Sequence, residues 1–180
     1  MKIAVWGAGS IYEAALRACA RHEIEIVDDV DGCDVLLLAN YTRLLKADDR
    51  ARPAVGALCF HPSPLPRHRG RDSVYWTVKM GDPTCGVSWF WIDAGIDTGD
   101  VAGVVEVARP QDVRPRELYE ETLVPLGEML LDGLLGQFKL GVFPRQKQDE
   151  SLATYEPPRP KPTPGYEPAA SSLITPGGTT

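Results

Sequence analysis

Apolar and polar positions alternate along this chain in two distinct rhythms, and the switch between them predicts its elements. Lys2–Trp6 is a compact apolar run that reads as a buried strand, broken by Gly7-Ala8-Gly9-Ser10. Within Ile11–Arg21, Ile11, Ala14, Ala15, Ala18 and Cys19 recur at helical spacing. Glu23–Val27 reads as a second strand. Asp34–Ala39 is a third, and its continuous Val-Leu-Leu-Leu run suits a parallel strand covered on both faces. A short helix is predicted over Thr42–Asp49 and a further buried strand over Gly56–Phe60. Ser73–Met80 reads as a helix capped by Asp72. Gly86–Ile92 and Val101–Val107 read as strands flanking the loop Asp93–Asp100. Asp112 with Pro115 marks a helix start, and Leu118, Leu123, Leu126, Leu130, Leu134 and Phe138 then form an apolar stripe, kinked or restarted at Pro125.

This order predicts an α/β domain over residues 1–150, three-layered, with a shortened Rossmann-like and mostly parallel sheet. Residues 151–180 are expected to form a flexible tail. Seven prolines from Pro157 to Pro176 deny that segment backbone donors, and little apolar area offsets the entropy of ordering it.

The chain has 180 residues, enough for one domain with a real core. Its formal charge of −6 argues against a broad nucleic-acid-binding face, since phosphate affinity rests on clustered Lys and Arg. No apolar run approaches the roughly 20 residues needed to span a bilayer, and no signal peptide is visible before the first glycine turn. Cys19, Cys33, Cys59 and Cys85 are scattered without a C-x-x-C pair, as expected of reduced core thiols in a cytoplasmic protein. No metal is expected: His61, His68 and Asp72 lie on an irregular, proline-rich loop.

Two loops hold the candidate chemistry. His61 follows a strand directly, and Pro62, Pro64 and Pro66 stiffen the chain after it. Asp97 sits in Asp93-Ala-Gly-Ile-Asp-Thr-Gly-Asp100, where Gly95 and Gly99 permit tight turning. An imidazole is the commonest proton carrier at neutral pH, and a nearby carboxylate stabilises positive charge formed on it or holds a water. On residue types alone, a self-capped Asp97 turn beside a packed His61 is the favoured reading. Ser63 with His61 and Asp97 suggests a serine hydrolase only weakly, because no G-x-S-x-G elbow is present. Gly7, Gly9 and Ser10 open a helix whose free N–H groups suit a phosphate, or form a tight structural turn. Arg67, Arg69 and Arg71 either face an anionic ligand or line a solvated loop.

The run His61-Pro-Ser-Pro-Leu-Pro-Arg-His-Arg-Gly70, with Asp97 placed 36 positions after His61, closely resembles the signature of the folate-dependent formyltransferases. Trp76, the Thr84–Ser88 run and Gln148-Asp-Glu150 with Ala153-Thr-Tyr155 extend the similarity to the catalytic region of methionyl-tRNA and sugar-nucleotide formyltransferases. The resemblance implies transfer of a formyl group from 10-formyltetrahydrofolate to an amine, with His61 stabilising the oxyanion and Asp97 positioning water and supporting proton transfer. Tyr41 and Arg43, with Asp93, Ala94 and Gly95, match the region that holds the pterin. Gly7, Gly9, Ser10, Ser63, Arg69 and Gly70 match the acceptor side. The implied acceptor is a small amine, phosphorylated or nucleotide-linked, and no tRNA partner is expected of so acidic a chain.

Two departures stand out. Fewer residues precede the histidine than in the family, which implies a trimmed sheet. The family's Asn-x-His triplet is here Cys59-Phe60-His61. A thiol is a much weaker donor than an amide, and one lost oxyanion donor costs on the order of 3–4 kcal/mol. Three outcomes stay open: Asn40 supplies the missing donor, Cys59 acts as a nucleophile, or the chain is a weak ligand-binding relative. Hydrolysis of the formyl donor by the same His61 and Asp97 is a further alternative.

Overall fold

The structure is a computed structural model and describes residues 1–160. Six strands form one sheet in the order β2-β1-β3-β4-β5-β6. They are β1 (Lys2–Gly7), β2 (Glu25–Ile26), β3 (Val35–Ala39), β4 (Gly56–His61), β5 (Thr84–Trp91) and β6 (Val101–Ala108). The pairings from β2 through β4 are parallel, and β5 and β6 add as an antiparallel hairpin at the far edge.

Helix α1 (Ser10–Arg21) buries Ile11, Ala14, Ala15, Ala18 and Cys19, the apolar set read from the sequence. Strand pleating sends alternate residues to opposite faces. Ile3, Val35, Leu37, Leu58, Phe60, Trp89 and Trp91 meet α1 and α5 (Val124–Lys139) in the main core. Ala4, Leu36, Leu38 and Ala57 turn the other way, onto Val30, Cys33, Tyr41 and Leu45, with half-buried Cys59 packed against them. This second layer is built largely of loops. The indole N–H groups of Trp89 and Trp91 donate to the Gly127 and Pro144 carbonyls, so both rings are core.

Several predicted elements shift. The Glu23–Val27 strand contracts to two paired residues. The Thr42–Asp49 helix is replaced by α2 (Ala47–Ala51), which buries nothing; Leu44, 85 % exposed, has no apolar stripe to extend. Asp72 precedes α3 (Ser73–Lys79) but gives no capping bond; its carboxylate instead accepts from the Arg159 amide. After the short α4 (Pro115–Glu117), Leu118–Leu123 is a π-helix that leads into α5. Pro125 has no N–H, and its ring crowds the carbonyl four residues back, so the ladder widens there rather than kinking. That widening explains the five-residue step from buried Leu118 to buried Leu123. It also brings Leu131 and Leu135 into the core beside Leu134 and Phe138, while Leu126 and Leu130 stay half-buried.

Beyond the expected boundary at residue 150 the chain keeps contact with the domain. Thr154 to Pro157 are bonded to the His61 loop and to α3, through Thr154 Oγ1 to the His68 amide and Trp76 Nε1 to the Pro157 carbonyl. The composition of this stretch suggests freedom, but Thr154, Tyr155 and Pro157 each have a hydrogen-bond partner in the domain. Residues 161–180, which carry most of the expected tail, lie outside the described residues.

Candidate active site

The site lies at the C-terminal ends of β3 and β4, beside the loop that follows β5, where three non-glycine residues take left-handed backbone: Asn40 (φ 56°), His68 (φ 57°) and Asp97 (φ 54°). Such conformations persist only where surrounding structure enforces them, and they gather at functional loops. Cys59 and His61, two apart on β4, share one face of the sheet. In register Cys59 stands between Leu38 of β3 and Phe90 of β5, and His61 stands opposite Ser88.

The imidazole of His61 is buried, and each nitrogen has a distinct neighbour. Nε2 lies 2.8 Å from the His68 carbonyl oxygen. A carbonyl only accepts, so Nε2 carries a proton and Nδ1 is left to face the cleft. Nδ1 lies 3.7 Å from Asp97 Oδ2. Asp97 Oδ2 also accepts from the Gly70 amide at 2.7 Å, which ties the two loops together. The imidazole and the distant acid therefore converge, although 36 positions separate them in the chain.

The proline loop is held from beneath. Ser88 Oγ donates to the Ser63 carbonyl and accepts from the Leu65 amide, both at 2.9 Å. Ser63 is fully buried and its hydroxyl donates to the Arg67 carbonyl at 2.7 Å. This corrects the expectation that Ser63 contacts an acceptor, and it removes the serine-hydrolase reading, because a hydroxyl enclosed in its own loop is out of reach. Arg69 is also corrected. Only 1 % exposed, its guanidinium donates to Gln148, Glu150 and Tyr155 instead of to a ligand. Arg67 pairs with Asp82 through two bonds. The Gly70 N–H is engaged by Asp97.

His68 lies buried between two carboxylates, with Nε2 at 2.8 Å from Asp82 and Nδ1 at 2.9 Å from Glu156. Burial alone would raise the Asp82 carboxyl, but the bonds from Arg67 and His68 outweigh it and hold it below the ordinary carboxylate range. His68 and Gln148 lie in runs that carry the family resemblance, whereas Asp82 and Glu156 show no pattern in sequence, and folding alone brings all four to this loop.

Burial, with a smaller contribution from the nearby charge of Asp97, pushes the Cys59 thiol far above its ordinary range. The thiol donates to the Phe60 carbonyl at 3.5 Å. A thiol held neutral is a poor nucleophile, which counts against that reading of Cys59. Asn40 Nδ2 donates to the Ala8 carbonyl at 3.2 Å, leaving the other N–H of its amide.

On the flanking loops, Tyr41 packs against Trp6 with ring centroids 5.9 Å apart, and Arg43 is exposed. Asp93 Oδ1 accepts from the Gly95 amide and Thr98 Oγ1, and the Asp93 carbonyl accepts from Arg50. Ala94 and Gly95 are exposed beside it. Gly7 is required by packing, because a Cβ there would lie 1.7 Å from the Ala39 carbonyl oxygen. Gly9 and Ser10 form the N-terminal end of α1. Among the described residues, no group of three or more His, Cys, Asp and Glu is placed to hold a metal ion, and no helix is long and apolar enough to cross a membrane.

The mitochondrial 10-formyltetrahydrofolate dehydrogenase of Mus musculus is 36 % identical over 129 residues, which cover 69 % of this chain and 14 % of that protein. The methionyl-tRNA formyltransferase of Ruminiclostridium cellulolyticum is 32 % identical over 126 residues, covering 70 % of this chain and 40 % of that protein. The chain thus spans well under half the length of these curated relatives. Among solved structures, the formyltransferase PseJ from Anoxybacillus kamchatkensis, in complex with UDP-4,6-dideoxy-4-formamido-L-AltNAc and tetrahydrofolate, superposes with a TM-score of 0.72 at 24 % identity, covering 87 % of this chain and 85 % of that one. HypX from Aquifex aeolicus superposes with a TM-score of 0.77 at 18 % identity, covering 89 % and 30 %. Residues 10–130 match the family described as Formyl transferase, well over half of the chain, and the chain belongs to that family.

Proposed function

We propose that this chain transfers a formyl group from 10-formyltetrahydrofolate to the amine of a small acceptor, using His61 and Asp97. One observation carries this reading: Nδ1 of a ring whose other nitrogen is committed to a carbonyl lies 3.7 Å from a carboxylate. The donor supplies the formyl carbon. Tyr41, Arg43 and the Asp93–Gly95 loop hold its ring system, where exposed Leu44 and Ile96 offer apolar surface to a flat ligand. Gly9 and Ser10 face the acceptor, and free N–H groups at the N-terminus of a twelve-residue helix suit a phosphorylated or nucleotide-linked one.

As the amine attacks, negative charge grows on the formyl oxygen and the nitrogen must lose a proton. With a second proton on Nδ1, the His61 ring donates a hydrogen bond to that oxygen. The Asp97 carboxylate complements positive charge on the ring and accepts the amine proton, directly or through a water, and that proton passes to the donor's nitrogen as its bond to the formyl carbon breaks and tetrahydrofolate leaves. Cys59 takes the place of the usual amide donor and contributes little, while Asn40, the residue after β3, has a remaining N–H to supplement it.

A second reading, transfer of the formyl group to water, draws support from the similarity to 10-formyltetrahydrofolate dehydrogenases. A third, ligand binding with little turnover, draws support from Cys59. Following tetrahydrofolate release from the formyl donor separates them. Amine-dependent release supports transfer, amine-independent release supports hydrolysis, and binding without release supports the third. His61→Ala is expected to lower either chemistry by at least about 10²-fold. Turnover retained in that variant refutes the site.

A further inference from the structure

The chain between β6's partner Gln146 and the last described residues runs back across both catalytic loops. One side chain in it, Gln148, touches both. Its Nε2 donates to the Asp97 carbonyl and to the Gly99 carbonyl, each at 2.8 Å. Its Oε1 accepts from Arg69 Nε at 3.1 Å and Nη2 at 2.9 Å. Arg69 is itself anchored by Glu150 and Tyr155. An amide whose oxygen and nitrogen are both bonded has one orientation.

The two carbonyls it holds bracket a strained turn. Asp97 sits at φ 54°, and a Cβ on Gly99 would meet the Trp91 carbonyl oxygen at 1.7 Å, so the turn has no alternative close packing. Asp93 braces the front of the loop through Gly95 and Thr98, whereas Gln148 grips the carbonyl of Asp97 itself. Small changes in the Asp97 backbone angles swing its carboxylate away from His61.

We infer that Gln148 is a positioning residue for the reaction, locking the Asp97 backbone so that its carboxylate stays within reach of His61 Nδ1. The inference rests on the reading of His61 and Asp97 given above. A displacement of about 1 Å at a reacting group can cost about 10²-fold in rate without changing binding.

Gln148→Glu tests this selectively. The glutamate keeps an acceptor for Arg69, and with it the ion-pair anchor, but loses both donors to Asp97 and Gly99. Expected is a fall in kcat of about 10- to 100-fold, with KM for the formyl donor within about twofold and little change in Tm. A second readout needs no turnover. The Gly70 amide donates to Asp97 Oδ2, so its proton resonance and exchange protection report the carboxylate's position. Loss of Gly70 protection in a folded Gln148→Glu protein supports the inference. Wild-type protection overturns it, whether or not kcat changes. Should Gln148→Glu fail to fold, Gln148→Asn retracts the same amide by one methylene and is read by the same Gly70 signal. A wild-type protein without turnover refutes the functional reading alone and leaves the Gly70 measurement to decide the inference.

Discussion

Replacing Cys59 by asparagine restores a strong donor on the face of β4 that carries His61, and the structure sets what to expect of it. Position 59 lies between Leu38 and Phe90 in register, half-buried, with its thiol donating only to the neighbouring Phe60 carbonyl at 3.5 Å. The thiol is held neutral by burial, and its single S–H is a weak donor already turned to that carbonyl, so the formyl oxygen gains little from it. A well-placed amide donor at an oxyanion is worth about 10²- to 10³-fold in kcat, or roughly 2.7–4 kcal/mol. Against that, an amide lodged beside leucine and phenylalanine with incomplete partners costs about 1–3 kcal/mol of stability. At this chain length each 1 kcal/mol lowers Tm by about 2–4 °C. Cys59→Asn should therefore accelerate tetrahydrofolate release in single-turnover mixtures by about 10²-fold while melting a few degrees lower. A folded variant whose rate stays within about twofold of wild type refutes the argument that position 59 faces the reacting oxygen. A fall in rate means the thiol has a task of its own. Adding Asn40→Ala shows whether that amide already serves: it then lowers the wild-type rate, and Cys59→Asn restores it.

Two further expectations concern the frame of the site. Ser63→Ala removes a buried hydrogen bond to the Arg67 carbonyl and should cost about 1–2 kcal/mol in urea unfolding while leaving KM for any acceptor unchanged; a large KM effect would return Ser63 to the ligand surface. The Asp82 carboxyl is held below its ordinary value by Arg67 and His68, so its stabilisation is fully present above the unfolded pKa of about 3.9 and is lost as pH falls through the lowered folded value. Asp82→Asn should accordingly be less stable at neutral pH and lose less stability than wild type on acidification below about pH 4; parallel stability curves for the two proteins would show that the pairing contributes nothing.

The sequence by itself determined the parts that depend on local period and local chemistry. Five apolar positions in Ile11–Arg21 repeat at helical spacing and are the five that α1 buries. The Val-Leu-Leu-Leu run forms a strand buried on both faces, β3. The proline loop and the glycine-rich loop announced His61 and Asp97 because their motifs are contiguous. Tertiary structure alone decided the rest. Ser63 and Arg69 looked available to a ligand in the linear motif, yet burial turned them inward, where an unpaired hydroxyl or guanidinium is costly and partners are found within the fold. Leu118–Leu123 became a π-helix because the proline that follows it cannot continue the ordinary ladder. Gln148 and Glu156 lie far along the chain from Asp97 and His68, and no periodicity links such residues. They meet because the segment after α5 crosses back over both loops, and its polar groups, removed from water, bond to the backbone and side chains beneath them.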